Sequence, residues 1–110
     1  MSTKYYTVSE LTSKTRSILE LSLSELWVEG EISNLHYHSS GHIYLTLKDK
    51  TSELRCVFFK HINIYLGFRL QDGMHIQISG GVSIYEQRGQ LQFLIQRLKK
   101  SGSGALYQEY

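Results

Sequence analysis

Aromatic and basic side chains alternate with apolar ones in two neighbouring segments, residues 42–49 and 53–60. Alternation with a period of two predicts β-strands with one buried and one free face. The predicted free face combines rings, cations and two small residues: His42, Tyr44, Thr46, Lys48, Arg55, Val57 and Phe59. Rings stack on bases and cations meet phosphates, so this face is typical of a surface that binds single-stranded nucleic acid.

Ten residues are candidates for contacting that nucleic acid. Tyr44 and Phe59 are the sharpest candidates for base stacking. The candidates for phosphate contacts are Lys48, Arg55, Lys60 and Arg88. The others lie in or beside two polar loops, residues 35–41 and 85–90: Tyr37, His38, His42 and Tyr85. Each also has a structural interpretation, either as a ring that closes an apolar gap or as an ordinary solvated charge.

The other reactive side chains form no recognisable catalytic or metal-binding set. His36, His38 and His42 are close in sequence, but no carboxylate or second cysteine completes a ligand set with them. We therefore predict no metal, no cofactor and no catalytic residue in this chain. The single cysteine, Cys56, excludes an intrachain disulfide and is expected to be a small buried hydrophobic residue.

The distribution of charge along the chain is more informative about a binding partner than the net charge is. The net charge is only +2, but residues 1–47 hold three Lys/Arg against five acids, whereas residues 48–110 hold nine against five. The basic excess in the later part favours a polyanionic partner.

The N-terminus has no apolar signal core and no apolar run approaches the ~20 residues of a membrane span. We expect a soluble cytoplasmic protein without membrane contact.

The N-terminal segment predicts a helix over residues 8–20. Thr7 and Glu10 have the spacing of a capping box, and the apolar residues that follow recur at helical intervals. We interpret residues 1–22 as a helical extension packed on the rest of the domain. Trp27, which follows, is expected to be buried under this helix.

Residues 23–100 are predicted to form the domain itself. Strands are expected at 25–35, 42–49 and 53–60, a short helix at 61–67, a long strand from Met74 with a bend at Gly80-Gly81, and a last strand from Leu91 to near Leu98. The fold class is all-β with flanking helices. This order matches a five-stranded Greek-key OB-fold barrel, in which strands two and three and the loops 35–41 and 85–90 form the usual oligonucleotide surface.

Several long motifs resemble the N-terminal domain of the exodeoxyribonuclease VII large subunit family. The matching stretches run in order through nearly the whole chain: residues 6–11, 26–34, 38–42 with 44 and 46–49, 54–57 with 59, 85–86 with 88–90, and 104–107. Gln87 departs from the family, which often has proline at this position. The resemblance implies an OB-fold domain that binds single-stranded DNA for a cytoplasmic exonuclease. It also implies a missing C-terminal catalytic domain that residues 101–110 begin to approach, and a small subunit bound through that missing part.

Two other functions stay open from the residues alone. An RNA-binding OB module of the anticodon-binding type would use the same rings and cations. A scaffold for subunit assembly, including pairing between copies of the chain, would need no nucleic acid.

The resemblance implies that the full-length enzyme hydrolyses single-stranded DNA from both ends into oligonucleotides, and that this domain itself is not the catalytic part.

Overall fold

The computed structural model describes residues 2–101, so all but the first residue of the linker predicted at residues 101–110 lies outside the described part. Two helices and five strands follow each other in the predicted order: α1 Val8–Ser22, β1 Leu26–Tyr37, β2 Ile43–Lys48, β3 Glu53–Phe58, α2 Lys60–Asn63, β4 His75–Tyr85 and β5 Gln90–Lys100. Neither of these helices has the length and apolar character needed to cross a membrane.

The five strands close into a barrel in the order β1-β2-β3-β5-β4, which confirms the OB-fold prediction. Neighbouring strands are antiparallel except β3 and β5, which are parallel. All five strands contribute buried side chains to the core of the barrel, among them Ile32, Leu45, Cys56, Ile78 and Phe93. This core fixes which side chains of β2 and β3 face outward.

Two β-bulges interrupt the regular pairing. In β1 the register shifts between Ser33 and His36, and Asn34 adopts a positive φ of 50°. The N–H of Leu35 instead donates a hydrogen bond of 3.0 Å to Oδ1 of Asp72. The second bulge faces Ser79 and Gly80, which pair with Arg97 and Ile95, so the extra residue is Gln96 of β5. It lies beside the bend predicted at Gly80-Gly81.

Helix α1 begins with the predicted capping box. Thr7 Oγ1 accepts from the N–H of Glu10, and Glu10 Oε1 accepts from the N–H of Thr7. Leu19 packs against the barrel core, and the N–H of Val82 donates to the carbonyl of Leu23. The prediction that Trp27 is buried under α1 is wrong: its side chain is 47% exposed on β1, with Nζ of Lys99 4.9 Å from its ring centroid.

The end of β3 differs from the prediction. The strand stops at Phe58, so Phe59 is the N-cap residue of α2 and Lys60 is its first residue, rather than both lying on the strand. The helix itself is shorter than the predicted 61–67. Val57 was expected on the free face, and it does face outward with Tyr44 opposite, but it is only 8% exposed.

Candidate nucleic-acid interface

Four of the predicted site residues surround one groove of about 830 Å³ on the outside of the barrel. Tyr44 and Arg55 reach it from β2 and β3, and Tyr85 and Arg88 reach it from the end of β4 and the β4–β5 loop. The strands that carry these residues are far apart in sequence and are brought together by barrel closure. We call this surface, defined by these four residues, the groove.

The floor of the groove comes from cross-strand pairing of β2 and β3. Tyr44 lies opposite Val57, and Thr46 lies opposite Arg55. Tyr44 is 37% exposed, whereas its cross-strand neighbour Val57 is buried, so the Tyr44 ring is accessible from solvent. A partly exposed ring and a guanidinium lining the same groove suit a base and its phosphate.

The β4–β5 loop, residues 86–89, forms the opposite wall. The N–H of Arg88 donates to the carbonyl of Tyr85 at 3.2 Å, and the Tyr85 hydroxyl donates to Oε1 of Gln87 at 2.8 Å. Gly89 has a φ of 63°, which is a conformation that glycine adopts without strain. Tyr85 is 45% exposed, so its ring remains available to a ligand.

Two histidines extend the aromatic surface at one end of the groove. The ring of His38 meets Tyr44 edge-on at 6.0 Å between centroids and His36 at 5.7 Å. His36 pairs with Tyr44 across β1 and β2 because of the bulge after Ser33. His36 is not among the ten sequence candidates, and the structure places it on β1, beyond the predicted strand end at residue 35.

The remaining predicted aromatic and basic residues gather at the start of α2. The N–H of Lys60 donates to Nδ1 of His42 at 3.0 Å, and the His42 ring meets Phe59 edge-on at 5.3 Å. Phe59 in turn stacks with His61 at 6.1 Å. We call His42, Phe59, Lys60 and His61 the α2 cluster. Loop residues 38–42 join it to the groove, because the N–H of His38 donates to the His42 carbonyl.

Lys48 and Tyr37 lie apart from both groups. Nζ of Lys48 is 3.8 Å from Oε2 of Glu31, and Glu53 lies opposite it on β3. Tyr37 belongs to β1 rather than to the loop predicted at 35–41, and pairs with the inward-facing Ile43. Its hydroxyl accepts from the N–H of Leu70, and Arg69 covers its ring at 4.2 Å. Their roles as ligands remain predictions.

The chemistry that the groove offers is non-covalent. Burial raises the pKa of the nearby Cys56 thiol to about 12, so it is neutral and a poor nucleophile near pH 7. Among residues 2–101, no three His, Cys, Asp or Glu side chains are grouped so that they could hold a metal ion. Aromatic rings and guanidinium groups around an open groove can hold an oligonucleotide by stacking and charge.

The barrel and its outer groove define a class of nucleic-acid-binding domain, and comparison with known families agrees. Residues 6–99 match the family model described as "OB-fold nucleic acid binding domain". The chain belongs to this family.

More specific likeness is found among curated proteins named exodeoxyribonuclease 7 large subunit, which confirms the resemblance seen in the motifs. The chain is 49% identical to the Geobacter metallireducens protein over 100 residues, covering 91% of the chain and 22% of that protein. It is 43% identical to the Haemophilus influenzae protein over 110 residues, covering 100% of the chain and 25% of that protein. The chain therefore spans about a quarter of the length of these relatives.

Among solved structures, the asparaginyl-tRNA synthetase from Pyrococcus horikoshii shares the fold. It superposes with a TM-score of 0.60 and 17% identity over 79% of this chain and 22% of the synthetase chain. The same synthetase complexed with asparaginyl-adenylate gives a TM-score of 0.61 and 16% identity. At this level of identity the likeness supports the barrel architecture alone.

Proposed function

We propose that this domain binds single-stranded DNA across the groove, with the bases against Tyr44 and Tyr85 and the backbone near Arg55 and Arg88. The observation that carries the proposal is the convergence of these four side chains from three separate segments on one open surface. Two rings and two guanidinium groups are the combination that unpaired bases and phosphates require.

The proposal extends from the groove to the α2 cluster. Loop residues 38–42 connect the two, and Lys60 and Phe59 add a cation and a ring on the far side of that loop. A strand that follows this path meets rings at several points, and stacking accepts every base. We therefore expect little sequence preference.

The curated relatives are named as exodeoxyribonucleases, which favours DNA as the nucleic acid. We propose that the domain supplies single-stranded DNA to a longer cytoplasmic enzyme that hydrolyses it from both ends. In this proposal residues 1–22 are a helical extension packed on the binding domain of residues 23–100, and residues 101–110 lead toward a catalytic domain. A small subunit binds through the C-terminal part of that longer enzyme.

Titration of fluorescently labelled oligonucleotides tests the binding step. We expect the chain to bind single-stranded DNA more tightly than duplex or RNA of the same sequence, without cutting it. The logarithm of affinity should fall with the logarithm of salt concentration by roughly 0.7 per phosphate neutralised. Tighter binding to the duplex, or an affinity independent of salt, contradicts the proposal. Tighter binding to RNA would instead favour an RNA-binding module, since only RNA offers 2′-hydroxyls.

A further inference from the structure

A single arginine of α1 joins the helix to the β4–β5 loop. Nε of Arg16 lies 3.1 Å from Oε2 of Glu20 on the same helix, while its Nη1 bonds Oε2 of Glu86, the first residue of the loop. Arg16 and Glu86 are 70 positions apart in sequence. The hydrogen bond to Glu86, and then the one to Glu20, raise the pKa of Arg16.

The same network also reaches the barrel. The hydroxyl of Ser83, buried on β4, donates a hydrogen bond of 2.6 Å to Oε2 of Glu20. Side chains of helix α1 therefore form hydrogen bonds with two parts of the barrel: Glu20 bonds to Ser83 of β4, and Arg16 bonds to Glu86 of the β4–β5 loop. Each carboxylate is half-exposed, so an isolated pair would contribute little to global stability. The connected arrangement mainly restricts where the loop can lie.

The loop residue held by Arg16 stands directly beside the ligand-facing residues. Tyr85 precedes Glu86, and Arg88 follows two positions later; both line the groove. The other hydrogen bonds found for Gln87 and Arg88 are local, joining them to Tyr85. In the described part of the chain, Arg16 is thus the distant partner that ties this loop to the rest of the domain.

We propose that Arg16 is a positioning residue for nucleic-acid binding. Through Glu86 it sets where Tyr85 and Arg88 stand, so that α1 becomes part of the binding site without contacting the ligand. A loop that is already ordered loses less conformational entropy when the ligand binds, which raises affinity. This inference rests on the proposed function and names the residue that prepares its site.

The test uses Glu86→Gln, because this substitution should change the affinity for DNA in opposite directions depending on the role of Glu86. A role in positioning the loop predicts weaker binding, whereas a purely electrostatic role predicts tighter binding. Removing a carboxylate beside Arg88 should strengthen the binding of a polyanion if Glu86 acts only through its charge. If it positions the loop, Glu86→Gln should weaken binding of labelled single-stranded DNA roughly three- to tenfold, as should Arg16→Gln. The double variant should lose no more than either single variant, because both substitutions break one interaction.

Glu25→Gln is the matched control, since it removes an exposed acid outside the groove and should not weaken binding. The salt slope separates positioning from direct contact: Arg16→Gln and Glu86→Gln release the same loop and should show the same slope, whereas a slope lower by roughly 0.7 in Arg16→Gln alone would make Arg16 a phosphate ligand and overturn the proposal. Unchanged or tighter binding by Glu86→Gln would also overturn it.

NMR order parameters of residues 86–89, measured without DNA, give a second readout. They should fall in Arg16→Gln while those of β2 stay unchanged. If wild-type protein binds no single-stranded DNA, the proposed function is wrong. In that case the loop measurement still decides whether Arg16 orders the loop, and unchanged order parameters would overturn the positioning role as well.

Discussion

The N–H of Lys60 donates its hydrogen bond to Nδ1 of His42, 18 positions earlier in the chain. Lys60 opens α2, and the first N–H groups of a helix have no partner within the helix. His42 thereby supplies the cap that Phe59, the N-cap residue, does not provide from its own side chain. A residue predicted to contact DNA thus has a structural role at the edge of the interface.

His42→Ala should destabilise the fold by about 0.5–1.5 kcal/mol, since it removes this acceptor. His42→Asn should lose less, because the asparagine carbonyl can accept from the same N–H. Urea unfolding of both variants measures the difference. Equal losses for the two variants would show that ring packing on Phe59, rather than the hydrogen bond, is what His42 contributes.

Tyr44→Ala should weaken binding of single-stranded DNA by about 1–3 kcal/mol and leave the salt dependence nearly unchanged, because it removes a stacking surface and no charge. Tyr44→Phe should bind nearly as well as wild type. Tyr5→Ala, which removes an exposed ring outside the groove, is the control. If Tyr44→Ala loses the fold while its folded fraction binds normally, Tyr44 is a packing residue and not a ligand.

Arg55→Ala should reduce the salt slope by roughly 0.7, the value of one phosphate contact, and its effect should shrink at high salt. Arg97→Ala provides the matched control. Arg97 is an exposed cation on β5 that does not line the groove, so both variants lose the same charge. Equal effects of the two substitutions would mean that net charge, and not the position of Arg55, governs binding.

Leu45→Ala should lower the free energy of unfolding by about 2–5 kcal/mol, because it leaves a cavity in the barrel core. Leu91→Ala should cost well below that value, since Leu91 is 49% exposed at the start of β5. Chemical denaturation measures both. Similar losses would contradict the difference in burial between these two leucines.

Stability should depend on pH through Glu20. The hydroxyl of Ser83, and then Arg16, lower the pKa of this carboxyl from its ordinary 4.5. A lowered pKa in the folded state means that the contribution is present above pH 4.5 and is lost as pH falls through the lowered value. Urea midpoints of wild type and Glu20→Gln should therefore converge in acid. In a Ser83→Ala background, the difference in urea midpoint between Glu20 and Gln at position 20 should be smaller. If the midpoints of wild type and Glu20→Gln instead stay equally far apart at every pH, Glu20 is not the source of the pH dependence.

Local rules recover the elements of this chain because the evidence for them lies within a few residues. The capping box needs only Thr7 and Glu10, and alternation places Leu45 and Cys56 in the core. These features depend on side-chain periodicity, which the sequence displays directly.

The missed features depend on partners that are distant in sequence. The β1 bulge is stabilised by Asp72, 37 positions away, and it moves His36 onto the face of Tyr44 while Tyr37 leaves it. Period-two counting cannot detect an inserted residue. The bond between Arg16 and Glu86 is likewise invisible to any local pattern, although it bears on the geometry of the candidate site.

The burial of Cys56 makes the domain suited to site-specific labelling. It is the only cysteine of the chain, and burial raises the pKa of its thiol to about 12, so the thiol stays protonated near pH 7. A cysteine introduced at Gln87 would then be the one reactive thiol. A dye or spin label on the β4–β5 loop could follow its movement in a chain whose native thiol is left in place.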